Sequence, residues 1–290
     1  MRVYLKKLRY LLEYAGFRIV AAVFGGLPVE TASAFSGWLW RNIAPLTYRH
    51  KRALENLRQS FREKPPAELE AIARDMWENL GRTFAETFHL REIAGGTRIT
   101  VENPAEVEAI AADSKGKLFC SGHIANWELI VAGMVRHGLK PMSVYQTVKN
   151  PWVNAYLLRR RSFLYTGGLY PKDRNIAQQL IRSARGGAAV AFLVDTRDYF
   201  GTSVDFFGRP APSSPFPGFL AHRLDLPIYI CTFVREKNVH FRFRMDRLDP
   251  DRDDERQADI KAINSSIQAE IEKIIRANPS QWMWGHRRWG

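Results

Sequence analysis

From Arg98 onward the chain alternates between two kinds of segment, and that alternation narrows the fold more than any other feature. Ala188–Val194 is apolar at every position. Such a run, bounded by Gly186-Gly187 and by Asp195, suits a strand covered on both faces, as in parallel sheets. Lys117–Cys120 is a shorter strand of the same kind. Arg98–Glu102, Met142–Thr147, Ile228–Val234 and the alternating His240–Leu248 also read as strands. Between them, Ala105–Ala112, Asn126–Arg136, Pro151–Arg161, Asp173–Arg185 and Pro215–Leu224 read as helices. Gln257–Arg276 follows as an amphipathic helix with an inward isoleucine stripe. Strands that alternate with helices predict an α/β fold: an αβα sandwich with a largely parallel sheet.

The first third reads differently. Val3–Val23, Val29–Asn42, Arg49–Phe61 and Ala67–His89 carry apolar residues at helical spacing, and Gly95-Gly96 closes the section. The expected organisation is therefore a helical region at 1–93 and an α/β domain at 94–290. Tyr14–Leu46 is rich in aromatic and apolar residues. It suits a helix pair lying in a membrane interface or a hairpin packed into the core. Ile19–Leu27, bracketed by Arg18 and Pro28, is too short for the roughly 20 apolar residues of a span, and it has no clean signal-peptide cleavage site. Lys and Arg exceed Asp and Glu to give +13. That charge points to an anionic partner, yet no nucleic-acid motif is present. Cys120 and Cys231 lie in apolar strands, as buried reduced thiols do.

Chemistry gathers where strands end. Lys117–Leu129 breaks at Ser121-Gly122 and delivers His123 at a strand's carboxyl end, the usual place for active residues in open α/β sheets. Glu128 follows five positions later. If His123 leans back over the first turn of a helix capped by Asn126, the pair suits proton abstraction, with the carboxylate fixing the imidazole tautomer. The same spacing also suits a histidine that merely caps, with Glu128 in solvent. Asn150-Pro151 leads to Arg159-Arg160-Arg161, of which one or two can hold an anion. Asp195 follows the buried strand directly and can orient His123 or a donor, while Arg197 can hold a phosphate. Phe206-Phe207-Gly208-Arg209-Pro210 reads as a close backbone approach or an ordinary β-turn. The aromatic and basic run Gln281–Trp289 suits interface anchoring or core docking, and His286 within it is a candidate second histidine. No Cys/His cluster with metal-ligand spacing appears.

Taken together, G-H-I-A-N-W-E at 122–128, the N-P…R-R-R segment at 150–161, the strand ending in Asp195, F-F-G-R-P-A-P at 206–212 and Q-W-M-W-G-H-R-R-W at 281–289 resemble the bacterial lipid A biosynthesis acyltransferases of the late, lauroyl/myristoyl type. The resemblance covers almost the whole chain. It implies a glycerolipid-acyltransferase-like fold with a membrane-associated helical extension at the amino end. It also implies transfer of a fatty acyl chain from acyl carrier protein to a hydroxyl of a lipid A precursor. The family's H-x4-D/E motif falls on His123 and Glu128. Its basic residue falls among Arg159, Arg160 and Arg161, with Arg159 favoured. Relatives often carry Asp-Gln where this chain has Asp195-Thr196.

The implied mechanism has His123 as general base, oriented by Glu128. Asn126, Arg159–Arg161, Asp195, Arg197 and Arg209 would bind substrate. The acyl donor is the phosphopantetheine thioester of acyl carrier protein, with no metal and no further cofactor. The implied partners are acyl carrier protein, an anionic glycolipid and the cytoplasmic face of the bacterial inner membrane. The protein would sit there peripherally or by one amino-terminal anchor. The alternatives are another glycolipid or lysophospholipid acceptor, or a membrane-binding protein without catalysis.

Overall fold

The computed structural model describes residues 2–173 and 175–289. Helices α1 (Arg2–Gly26), α2 (Val29–Ile43), α3 (Tyr48–Ser60), α4 (Pro66–Glu86) and α5 (Leu90–Gly95) come first. There follow β1 (Ile99–Val101), α6 (Pro104–Ala112), β2 (Lys117–Ser121), α7 (Ile130–Arg136), β3 (Pro141–Tyr145), α8 (Pro151–Arg161), β4 (Gly168–Pro171), α9 (Ile176–Arg185) and β5 (Ala189–Leu193). The chain ends with β6 (Thr202–Phe206), β7 (Arg209–Ser213), α10 (Phe216–Leu224), β8 (Ile228–Lys237), β9 (His240–Leu248) and α11 (Arg256–Ala277). Seven strands form one sheet in the order β1-β9-β8-β2-β5-β3-β4, and β6 and β7 make a separate ribbon. Every pairing in the large sheet is parallel except β8 with β9. The expected mixed α/β fold with a largely parallel sheet is present.

Burial explains the strand patterns. Every residue of β2 is buried, so helices cover both faces of the sheet there. β9, beside the edge, alternates between exposed and buried, with Phe241, Phe243 and Met245 inward. The tight β8–β9 turn places Asn238 at φ 53°, a conformation that asparagine tolerates better than most residues. Ile263, Ile267 and Ile271 of α11 are fully buried, as their spacing predicts.

The helical first third is not separate from this core. Val29, Ala53, Leu57, Phe61, Leu69 and Met76 belong to the same apolar cluster as the sheet residues. Helices α2 and α4 cross closely at Gly81, where a Cβ would lie 2.5 Å from the Ser36 carbonyl oxygen. No side chain larger than glycine's fits there. Helix α1 packs Ala21 and Phe24 against Ala85 and Phe88. Its other face is open: Leu5, Leu8, Leu12, Ile19 and Val23 are all exposed. At 100° per residue these five lie within roughly 60° of one another, so they form one stripe. No helix among the described residues is long and apolar enough to cross a membrane.

Several boundaries differ from expectation. The helix expected from Asn126 begins at Ile130, after a 3-10 turn at Trp127–Leu129. The one expected from Asp173 begins at Ile176, and Arg174 lies outside the described residues. The ribbon is real structure, with β6 and β7 joined by Phe207 (φ 57°) and Gly208 (φ 67°). Two successive positive φ values are the signature of a tight hairpin turn. The aromatic carboxyl-terminal run docks in the core: Trp282 and Trp284 are fully buried and Trp289 nearly so.

Candidate active site

The sheet order builds the site. β2 and β5 are parallel neighbours, with Ser121 opposite Leu193. The ladder continues one step further through the Val194 amide, which donates to the Ser121 carbonyl at 2.9 Å. Two residues beyond that register pair lie His123 and Asp195, side by side at the carboxyl ends of their strands. The His123 amide donates to Asp195 Oδ2 at 2.7 Å, and its Nδ1 lies 2.7 Å from Asp195 Oδ1. Trp282 Nε1 donates to the same Oδ2 at 2.6 Å. Gly122 permits this approach, since a Cβ there would stand 3.2 Å from the Asp195 carboxylate.

These contacts set the protonation pattern. Burial alone would raise the Asp195 pKa. The His123 charge and hydrogen bond, helped by His286 and the His123 amide, outweigh it and hold Asp195 well below the usual carboxylate range. For His123, burial favours the neutral form, but the Asp195 charge and hydrogen bond, joined by the charge of Glu128, raise its pKa above 6.5. An ionised Asp195 accepts, so Nδ1 carries the proton and Nε2 keeps its lone pair. Nε2 has no hydrogen-bond partner among the described residues, and the side chain stays 19% exposed. The Trp127 ring stands edge-on to the imidazole at 5.2 Å. A histidine so held can take a proton from a group that reaches Nε2.

Glu128 makes no hydrogen bond to His123 among the described residues, where the reading from the H-x4-E spacing predicts one. Residues 124–129 are not helical in the way that reading assumes. Ala125 has φ 49°, and the 3-10 turn follows Asn126. Glu128 instead pairs with Arg161 at 2.9 Å and acts on His123 through its charge alone. Arg161 lies over the Tyr145 ring and has a buried Nε with no partner. Of the three adjacent arginines it is therefore Arg161, rather than the favoured Arg159, that stands beside the motif. Arg159 is exposed, and Arg160 bonds Tyr156 and the Phe88 carbonyl.

Asn126 sits at the start of the 3-10 turn, but its side chain makes no capping hydrogen bond. It is fully buried and donates to Glu86 Oε2 at 2.9 Å. Glu86, also fully buried, accepts from Ser33 at 2.7 Å and from both terminal nitrogens of Arg235. Sequence reasoning passed over Glu86, Arg235 and Trp282 as site supports, because nothing local links them to residue 123. The strained Ala125 is held from both sides: its amide donates to Gln281, and its carbonyl accepts from Thr83. Such strain persists only where the surroundings fix it, and it collects at functional sites.

The remaining candidates lie further out. Arg197 stacks on Tyr199 and Arg209 on Trp289, both on the carboxyl-terminal side of Asp195. His286 stands edge-on to Trp282. Burial, outweighing the attraction of Asp195, lowers its pKa to about 4, so it is neutral near pH 7. Burial pushes the Cys120 thiol up to about 12, which rules it out as a thiolate nucleophile near neutrality.

The family model for bacterial lipid A biosynthesis acyltransferases matches residues 2–290. The chain belongs to that family. No curated protein sequence matches it with significance. The acyltransferase thus presents a histidine–aspartate pair at the ends of adjacent parallel strands, braced by Gln281 and Trp282.

Proposed function

We propose that this acyltransferase moves a fatty acyl chain from the phosphopantetheine thioester of acyl carrier protein to a hydroxyl of a lipid A precursor. The observation that carries the reading is the unpartnered Nε2 of His123, whose Nδ1 is fixed by Asp195. His123 Nε2 takes the proton of the acceptor hydroxyl. The oxygen forms a bond to the thioester carbonyl carbon, and the charge moves to the carbonyl oxygen. Arg161, held by Glu128 and retaining a free buried Nε, is the donor we assign to that oxyanion. As the C–O double bond reforms, the C–S bond breaks, and the imidazolium returns its proton to the leaving sulfur.

The exposed stripe of α1, with Phe35 and Trp38 exposed on α2, supports seating on the cytoplasmic face of the bacterial inner membrane. In this reading residues 1–93 associate with the membrane and 94–290 perform the transfer. The excess of basic residues suits both acidic acyl carrier protein and an anionic lipid surface.

The test is transfer by the purified protein, with acyl carrier proteins of several chain lengths, to a tetra-acylated lipid A precursor, read by product mass. One added acyl group that disappears in His123→Ala supports the reading. Equal transfer by that variant refutes the base assignment. Transfer only to a lysophospholipid or another glycolipid refutes the acceptor.

A further inference from the structure

A basic cleft of about 460 Å³ opens between α3, the start of β7 and the carboxyl-terminal turn. Its walls are Arg52 from α3, Arg197 two residues past Asp195, Arg209 at the start of β7, and His286, Arg287 and Arg288 from the carboxyl-terminal turn. Five arginines line the cleft beside one acidic residue, Glu55. None of the five has a carboxylate partner among the described residues. Elsewhere Arg161, Arg235 and Arg276 each have one.

The cleft arginines are held by neutral groups instead. Arg52 donates to the Gly285 carbonyl at 3.3 Å. Arg209 donates to Gln59 and Ser60, with its guanidinium 3.6 Å from the Trp289 ring centre. Arg288 is fully buried and donates to the Pro212 carbonyl, Ser213 and Gln268. The Nε atoms of Arg197, Arg209 and Arg288 are buried without a partner. A buried cation without a counter-charge is costly, and so are like charges gathered in one cleft. Both costs fall when an anion with several acceptor oxygens enters, and guanidinium forks match phosphate oxygens two at a time.

We infer that this cleft binds a phosphate monoester on the sugar headgroup of the acceptor lipid, an assignment that rests on the function proposed above. Charge separates this ligand from the donor. A phosphate monoester carries nearly two negative charges near pH 7, whereas the phosphodiester of a phosphopantetheine arm carries one. Five cations suit the former. Asn56 and Gln59 on the same wall are already engaged, Asn56 with the Trp284 and His286 carbonyls and Gln59 with Glu55 and Arg209, so they brace the cleft. His286 in the cleft wall stands 5.2 Å from the Trp282 ring, whose N–H bonds Asp195, so Trp282 alone separates the cleft wall from the carboxylate of the pair.

The experiment uses the full chain and glucosamine 1-phosphate as probe, with glucosamine and inorganic phosphate as separate arms, read by calorimetry. Wild type should bind the sugar phosphate more tightly than inorganic phosphate and should not bind glucosamine. Arg197→Gln and Arg287→Gln should each weaken binding about tenfold, as expected for loss of a charged hydrogen bond. Arg58→Gln, which removes an exposed charge from the same helix as Arg52, should not change it. In the transfer assay the sugar phosphate should compete with the acceptor, and the two cleft variants should raise the acceptor KM more than they lower kcat. No binding by wild type, or equal binding by the cleft variants with circular dichroism confirming their fold, would overturn the site. Competition with the acyl donor alone would overturn the acceptor assignment. Arginine-dependent binding without any acyl transfer would uphold the site and refute the proposed function instead.

Discussion

Replacing Asp195 by asparagine separates orientation from mere packing. In the native chain Oδ2 accepts two donors, the His123 amide and Trp282 Nε1, while Oδ1 accepts one, His123 Nδ1. Asparagine offers one carbonyl oxygen and one NH2 group. The arrangement that leaves fewest donors opposed puts the carbonyl at the Oδ2 position and the NH2 against Nδ1. The imidazole must then accept at Nδ1 and carry its proton on Nε2, the tautomer that cannot act as base. The fold should survive, because two of three donors remain satisfied, while kcat falls by about 10²–10⁴, the range for loss of a positioned general base. The pH profile should move as well. A base works unprotonated, so wild-type activity rises with pH through the His123 pKa, which lies above 6.5. With the Asp195 charge gone, burial is left to act against the remaining charge of Glu128, and the limb shifts to lower pH. Steady-state transfer rates across pH, with thermal melts as a control for folding, measure both effects. Should Asp195→Asn keep kcat within about threefold of wild type while Glu128→Gln abolishes it, Glu128 would be the orienting carboxylate and the assignment made here would fail.

Other outcomes follow from the same contacts. Glu86→Gln leaves Arg235 buried without its counter-charge and should cost about 3–5 kcal/mol in urea unfolding, the usual penalty for breaking a buried pair. His286 has a folded pKa of about 4, so the unfolded chain binds more protons between that value and 6.5, and stability is lost as pH falls through this window. The loss amounts to about 3 kcal/mol below pH 4. His286→Phe should remove that part of the acid sensitivity, seen as a smaller difference in melting between pH 7 and pH 4. Leu8→Glu combined with Leu12→Glu puts two charges into the exposed stripe of α1 and should release the protein from anionic vesicles in a sedimentation assay. Unchanged sedimentation would move the membrane contact elsewhere.

The strands and most helices were legible because their signal is local. Ala188–Val194 carries an unbroken apolar run between Gly186-Gly187 and Asp195, and His123 stands out as the titratable residue after Lys117–Ser121. The partner of His123 was not legible to the same degree. Glu128 is close in sequence, whereas Asp195 is close only because β2 and β5 are neighbours, and neighbour order is a non-local property. The spacing misled because it assumed a helix from Asn126, where Ala125 instead turns into a left-handed conformation held by Gln281 and Thr83. The ribbon was hidden by its prolines. Pro210 and Pro212 occupy alternate positions of β7, so their missing amide donors fall on the same side of the strand.

The carboxyl-terminal run shows why aromatic and basic residues occur together. An ionised carboxylate at 0% exposure, as Asp195 is, would cost several kcal/mol without compensation. The aromatic side chains supply the dry surroundings. Trp282 packs edge-on to Trp284 at 4.6 Å and against Phe206 and Phe207 of the ribbon. The polar atoms of the same run supply the compensation. Trp282 gives its indole N–H to Asp195, and the buried Arg288 adds a positive field that acts on it. Meanwhile Gln281 accepts from Ala125, and Trp282 bridges Ile124, which fixes the loop that carries His123. Interface anchoring would require these rings to face outward. Because they face inward, the last segment of the chain serves as a wall of the site, and the β6–β7 ribbon is retained as the surface it packs on.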